Sequence, residues 1–295
     1  MDEYFDVLAI GHVAKDRNIV GEKSEIAAGG AVYYGGMVLL RLGLRVAVMT
    51  RLAKEDFDIL DELKEAGAKI YASPAPQTSG IENFHPDPNS DRRICHLLGF
   101  AGPFRITDIP PVRARIYYIG TVVPGEEDLP FIKEIASRGP IALDPQGHMR
   151  KEMGEELISN GWPQAREVIP LVHYLKVDDR EAAALTGEQD RFKAAEVLRS
   201  WGAKEVVLTH RTGVLVNAGN EVVEAPFRPK SLAGRTGRGD TCFSSYFGRR
   251  LLGDSPAAAA RFAAALTTIK LERPGPFRGS LEEVEARMRE EIPPR

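Results

Sequence analysis

The residues of this chain best equipped for chemistry are Thr236-Gly237-Arg238-Gly239-Asp240. Two glycines bracket an arginine and are followed at once by a carboxylate, after which Phe243, Phe247, Leu251 and Leu252 recur at helical spacing. The pattern predicts a Gly-rich turn that opens a helix. At such a turn the unpaired first-turn amides and the helix dipole together favour an anion, phosphate above all. A carboxylate beside a phosphate is repelled unless it has a task, and a natural one is to take the proton of an attacking hydroxyl. The three residues alone do not decide this, because an Asp near a helix start is most often a cap and Gly-x-Gly is most often a turn.

A catalytic turn needs elements to hold it, and the chain supplies an alternation of strands and helices. Phe5 to His12 reads as a buried strand closing at Gly11, and Ala28 to Gly43 as a small-residue helix start running into an apolar helix. Leu44 to Thr50 is a strand and Phe57 to Gly67 an amphipathic helix. Ala114 to Gly120 and Ile141 to Pro145 are strands separated by a helix over Glu126 to Ser137. His173 to Val177 is a strand with Asp178 as the cap of a helix over Arg180 to Leu185, and a further helix covers Arg191 to Trp201. Glu205 to Thr209 is a strand, and a hairpin pairs Val214 to Asn217 with Glu221 to Glu224. Helices over Pro256 to Leu266 and Ser280 to Glu291 end the chain. This order predicts a three-layer α/β/α sandwich with a mainly parallel sheet, in one domain spanning residues 1–295. Ligands in such folds bind beyond the carboxyl ends of the strands, where Gly11, Asp144, Asp178 and Thr209 all fall.

The rhythm breaks between Tyr71 and Ile109. Gln77 to Phe84 and Arg92 to Leu98 read as two strands around the turn-rich Asp87-Pro88-Asn89-Ser90-Asp91, a β-ribbon inside an alternating chain. With the polar stretch after the first strand it makes a lid, over about 13–28 and 77–100.

Composition narrows the partners. With 39 Lys and Arg against 42 Asp and Glu, the net charge of −3 gives no reason to expect a nucleic acid or a membrane surface. No apolar run is long enough to span a bilayer, and the acidic start Met1-Asp2-Glu3 is not a signal peptide, so a cytoplasmic location is expected. Cys95 and Cys242 fit no metal-ligand spacing. A dinucleotide-dependent dehydrogenase is poorly supported, because Ile10-Gly11-His12-Val13-Ala14-Lys15 lacks the Gly-x-Gly-x-x-Gly of that fold.

Taken together in chain order, Asp16, Gly29-Gly30, the lid, Asp144-Pro145, Asp178 to Glu181, Thr209 and Thr236 to Asp240 resemble the ribokinase-like (PfkB) carbohydrate kinase family over nearly the full length. The resemblance implies ATP- and Mg²⁺-dependent phosphorylation of a hydroxyl on a small polyol, cyclitol, sugar or nucleoside. It makes Asp240 the base and the amides of Gly237, Arg238 and Gly239 an anion hole. Asp16, Gly29, Gly30 and Tyr34 would line the acceptor site. Asp178, Glu181, Thr209, Arg211 and Gly213 would line the nucleotide site, with Mg²⁺ held through water near Asp178 and Glu181 rather than by direct ligands.

The chain also departs from the family pattern. Arg238 replaces the usual Ala of Gly-Ala-Gly-Asp, and its guanidinium has three open destinations: the phosphates, solvent or a substrate anion. Asp178 replaces the Asn of Asn-x-x-Glu, and the Thr-x-Gly-x-x-Gly turn is shortened to Thr209-His210-Arg211-Thr212-Gly213. Tyr34 stands where an Asn commonly reads sugar hydroxyls, and the Tyr33-Tyr34 pair is similar to inositol-kinase-like members. A second reading stays open, a non-catalytic sugar- or nucleotide-binding sensor on the same fold. The exposed edges of a β-ribbon also predict a homodimer formed through the lid.

Overall fold

A computed structural model describes residues 3–86 and 94–290. The expected turn at Asp87 to Asp91, and Arg92 and Arg93, lie outside the described residues. The strands are β1 Glu3–Ile10, β2 Ala14–Val20, β3 Lys23–Gly29, β4 Val46–Leu52, β5 Lys69–Pro74, β6 Gly80–His85, β7 Ile94–Gly99 and β8 Val112–Gly120. They continue with β9 Ile141–Asp144, β10 Arg150–Met153, β11 Glu156–Ser159, β12 Val172–Asp178, β13 Glu205–His210, β14 Gly213–Asn217 and β15 Val222–Pro226. The helices are α1 Ala31–Arg41, α2 Asp61–Glu65, α3 Leu129–Arg138, α4 Ala165–Val168, α5 Asp179–Thr186, α6 Arg191–Ser200, α7 Arg238–Leu251, α8 Pro256–Leu271 and α9 Leu281–Glu290.

Nine strands form one sheet in the order β15-β14-β13-β12-β9-β8-β1-β4-β5. It is parallel from β5 through β13 and antiparallel only at the β13-β14-β15 edge. Along β1, Val7 and Ala9 enter the core beneath α1, α7 and α8, while Leu8 and Ile10 enter the opposite core beneath α3, α4 and α6. A strand covered on both faces has no polar positions to alternate with, which is why these segments read as continuous apolar runs. The expected three-layer α/β/α sandwich is present.

The segments expected to form a lid contribute a separate four-stranded sheet, β3-β2-β6-β7, in which β2 and β6 are parallel and the outer pairs antiparallel. Asp16 lies in β2, where it pairs with Ala27 of β3, and its Oδ1 accepts the Ile81 N–H at 2.9 Å.

Three local expectations need correction. The amphipathic helix over 57–67 is a 3₁₀ stretch over Lys54–Leu60 followed by the single turn α2. The helix expected from Glu126 starts at Leu129, because Asp128 caps it through Phe131 N–H and the two residues before it turn inward. Glu126 is buried, its carboxylate accepting the amides of His12, Val122 and Val123, which a helical-period reading does not register. Strand β5 and the β10–β11 hairpin have no counterpart in the sequence reading. β5 carries only half-buried and exposed residues at the sheet edge, and β10 is exposed along most of its length.

Candidate active site

Helix α7 begins at Arg238, and Gly237 before it adopts φ 77° and ψ 12°, a left-handed conformation that a side chain would strain. A Cβ there would also lie 2.3 Å from the Tyr34 ring. Tyr34, almost fully buried, therefore packs against the turn. Within the turn the Arg238 N–H is directed at the Arg235 carbonyl at 3.3 Å, and Thr241 N–H returns to the Gly237 carbonyl at 3.0 Å. Among the described residues the amides of Gly239 and Asp240 have no main-chain acceptor, which leaves them as the open donors of the helix start. Of the three amides expected to form an anion hole, that of Arg238 is thus already engaged.

Beneath this turn lies a group the sequence reading missed. Lys176, in β12 two residues before Asp178, is buried, with Nζ 3.1 Å from Asp144 Oδ1, 3.0 Å from Asp144 Oδ2 and 3.9 Å from Glu181 Oε2. A Cβ on Gly239 would stand 3.4 Å from the same ammonium, so Lys176 lies directly under the Gly237–Asp240 turn. Its position was legible in principle, since it ends a buried strand beside the cap residue. A lone Lys in an apolar run carries no motif, however.

Electrostatics ties these residues together. Burial raises the Asp144 carboxyl to about 7; Lys176 opposes that shift, and Asp240, which shares a hydrogen bond with Asp144, adds to it. Burial likewise raises Glu181 to about 7, with Asp178 and Asp144 adding to the rise and Lys176 opposing it. The Lys176 ammonium is held charged well above its usual range by Asp144, Glu181 and Asp240, against its own desolvation. Four carboxylates face one ammonium here. The surplus negative charge suits a hydrated divalent cation, which keeps most of its waters and needs only outer contacts. Among the described residues, no group of three or more His, Cys, Asp or Glu is placed to hold a metal directly.

The remaining sequence-derived residues divide into two groups. Asp178 caps α5 in a reciprocal box with Glu181, in which Glu181 N–H donates to Asp178 Oδ1 at 2.7 Å and Asp178 N–H to Glu181 Oε2 at 2.8 Å. Thr209 pairs in register with Asp178 across β12 and β13, so both stand at the carboxyl edge beside Gly239. Arg211 and Gly213 form the second group, in the hairpin that directly follows Thr209. His210 pairs with Gly213, the connection is the two-residue turn Arg211-Thr212, and Gly213 belongs to the strand ladder rather than to an open phosphate turn.

On the acceptor side, a Cβ on Gly29 would fall 2.1 Å from Asp16 Oδ2, and one on Gly30 would strike the His12 carbonyl. The small residues there exist to let Asp16 and the β1–β2 connection approach. A pocket of about 540 Å³ opens between Asn18, Glu25 and Ala27 of the four-stranded sheet and the Tyr34, Arg235, Thr236, Lys270 and Arg278 wall. Arg278 is committed to Glu62, which also accepts the Tyr33 hydroxyl. Arg238 has no carboxylate within ion-pair distance among the described residues. His12 is fully buried, with Nδ1 2.7 Å from Ser79 Oγ. Burial pushes the Cys242 thiol up to about 12, which makes it a packing residue. No helix among the described residues is long and apolar enough to cross a membrane.

Comparison with known proteins agrees with this geometry. Residues 147–283 match the family described as pfkB family carbohydrate kinase. A cytidine kinase of Thermococcus kodakarensis is 27% identical over 247 residues, covering 80% of this chain and 84% of that protein. A pyrophosphate-dependent kinase in the ribokinase family, solved as a sulfate complex, superposes with a TM-score of 0.88 at 35% identity, covering 95% of this chain and 99% of the other. A pyrophosphate-dependent kinase of the same family, complexed with a pyrophosphate analog and myo-inositol, gives a TM-score of 0.87 at 34% identity over 95% and 99%. Identity above 30% sustained over almost the whole of both chains, together with the family match over residues 147–283, shows that this chain belongs to the ribokinase-like (PfkB) family of kinases that phosphorylate a hydroxyl acceptor.

Proposed function

We propose that the chain phosphorylates a hydroxyl of a cyclitol, with Asp240 as the base that takes the hydroxyl proton, and that pyrophosphate is the donor. The observation that carries this reading is the Gly237–Asp240 turn seated over the buried Lys176 with two open amides. Phosphoryl transfer asks for positioning and charge stabilisation rather than covalent help, and the turn supplies both. The donor assignment is supported by the two-residue β13–β14 turn, which leaves no open glycine loop for a nucleotide's phosphates, and by Arg238, which has no carboxylate within ion-pair distance among the described residues. A donor without a base and ribose must be held by charge, which a guanidinium between the glycines provides. The relative that binds a pyrophosphate analog and myo-inositol supports the same donor and acceptor classes.

ATP with Mg²⁺ is the second reading, favoured by the Asp178–Glu181 box standing beside Lys176 as the family motif implies. When bound, a hydrated Mg²⁺ near Asp144, Asp178 and Glu181 would neutralise charge on the donor phosphates. Asp16 would orient acceptor hydroxyls, Tyr34 would floor the pocket, and the four-stranded sheet would close over it to exclude water.

The deciding measurement is a matrix of donors, pyrophosphate and ATP, against cyclitols, pentoses, hexoses and nucleosides, read as phosphorylated product. Product with pyrophosphate and a cyclitol supports the proposal, and product with ATP alone selects the second reading. Thermal stabilisation by acceptors with no product from any pair would mean a binding protein instead. Gly29→Ala gives a narrower test. Its Cβ displaces the Asp16 carboxylate, and loss of a charge-assisted hydrogen bond worth about 1.5–3 kcal/mol should lower acceptor kcat/KM by about 10- to 150-fold, mostly through KM. An unchanged KM would remove Asp16 from the acceptor site. We also propose that two chains pair through the lid, where Val20, Ile26 and Leu98 are exposed. Sedimentation of a monomer at micromolar concentration would discard that assignment.

A further inference from the structure

Lys270, near the end of α8, is 1% exposed and has no carboxylate within ion-pair distance among the described residues. A buried ammonium without a counter-ion is costly, and burial does lower this one, to about 8, although Asp240 acts to raise it. What surrounds Nζ instead is main chain: it donates to the carbonyls of Gly234 and Thr236, and it stands 5.5 Å from the centre of the Tyr34 ring. Both carbonyls belong to the segment that leads into Gly237. That segment is docked on the end of α8 from the other side as well, through the Gly234 N–H to the Leu271 carbonyl at 2.9 Å. A Cβ on Gly234 would lie 1.8 Å from the Arg273 carbonyl, so the approach of the two segments leaves no slack.

We propose that Lys270 is a positioning residue for phosphoryl transfer: its ammonium, gripped by the Gly234 and Thr236 carbonyls, fixes the 234–239 turn so that the Gly239 and Asp240 amides converge on the donor. This inference rests on the reading of that turn as the anion hole. The ammonium occupies the place a small monovalent cation would take among converging carbonyl oxygens. Without it, the Gly234 and Thr236 carbonyls would lose their shared donor inside a buried gap, and the segment would keep only the Gly234 N–H to Leu271 bond to α8. Tyr34 couples the same ammonium to the acceptor pocket, since its ring lies against both Lys270 and Gly237. Lys270 touches no reacting atom in this scheme. It acts through the backbone.

The test compares wild type with Lys270→Met and Lys270→Gln, using the best donor and acceptor found for the wild type. Lys270→Met should lower kcat by about 10²-fold with acceptor KM little changed, the cost of a small misplacement of catalytic groups. Added ammonium or methylammonium should restore at least about a tenth of the loss by refilling the carbonyl pair, whereas tetramethylammonium, too large for it, should not. Lys270→Gln keeps a donor without the charge, and stays informative if the Met variant does not fold. Wild-type kcat in the Gln variant, or a loss in both that small ammonium ions leave untouched while the melting temperature drops, overturns the assignment and leaves Lys270 a packing residue. A wild-type chain inactive with every donor and acceptor pair would instead overturn the functional reading itself.

Discussion

An Asp240→Asn variant is expected to fold normally and to lose about 10²–10⁴-fold in kcat with acceptor KM close to that of the wild type, the usual scale for removing a positioned general base. Asn is isosteric, and Asp240 stands in the first turn of α7 half-exposed, so no packing is lost. Removing the charge also relieves Asp144, whose carboxyl is pushed up in part by Asp240. The melting temperature should therefore hold or rise slightly. The check is turnover measured beside thermal unfolding on one preparation. A variant retaining more than about a tenth of wild-type kcat would show that the hydroxyl proton leaves by another route.

Lys176→Met should have the largest effect on stability. It breaks a buried ion pair and leaves Asp144 and Glu181 facing each other with no cation, a change that typically costs about 3–5 kcal/mol. The cost should depend on pH. Asp144 and Glu181 both sit at about 7 when folded, above their ordinary values of 3.8 and 4.5. Their contribution is therefore fully present below the unfolded values and lost as the pH rises through about 7. Without Lys176 both would move higher still. The gap in melting temperature between wild type and variant should be smallest near pH 4 to 5 and widen towards pH 8, where the wild type keeps its ion pairs and the variant must bury bare carboxylates. Unfolding followed across that range decides the matter. A gap that stays constant would place the stabilisation in packing of the lysine stem. Activity should fall as well, since Gly239 rests on this side chain.

Much of the fold could be read from the chain because its signals are local. Runs such as Val7-Leu8-Ala9-Ile10 are apolar on both sides because both faces of β1 are covered, and the Asp178–Glu181 box announces α5 by capping chemistry alone. The identities of Asp16, Gly29, Asp144 and Asp240, and their order along the chain, were enough to name the family and the kind of reaction. Edge strands without an apolar face, such as β5, sent no comparable signal.

Folding alone decided which groups meet. Lys176 and Lys270 are 94 residues apart and neither belongs to a motif, yet the sheet puts one beneath the Gly237–Asp240 turn and α8 puts the other behind it. Only packing shows that Gly237 is required by the Tyr34 ring, that Arg238's own amide is engaged, and that Gly213 pairs with His210 in the β13–β14 ladder. The physical reason is range. Caps, turns and periodicity act over three or four residues and are written in the chain, whereas desolvation and charge pairing depend on neighbours that only the closed sheet brings together.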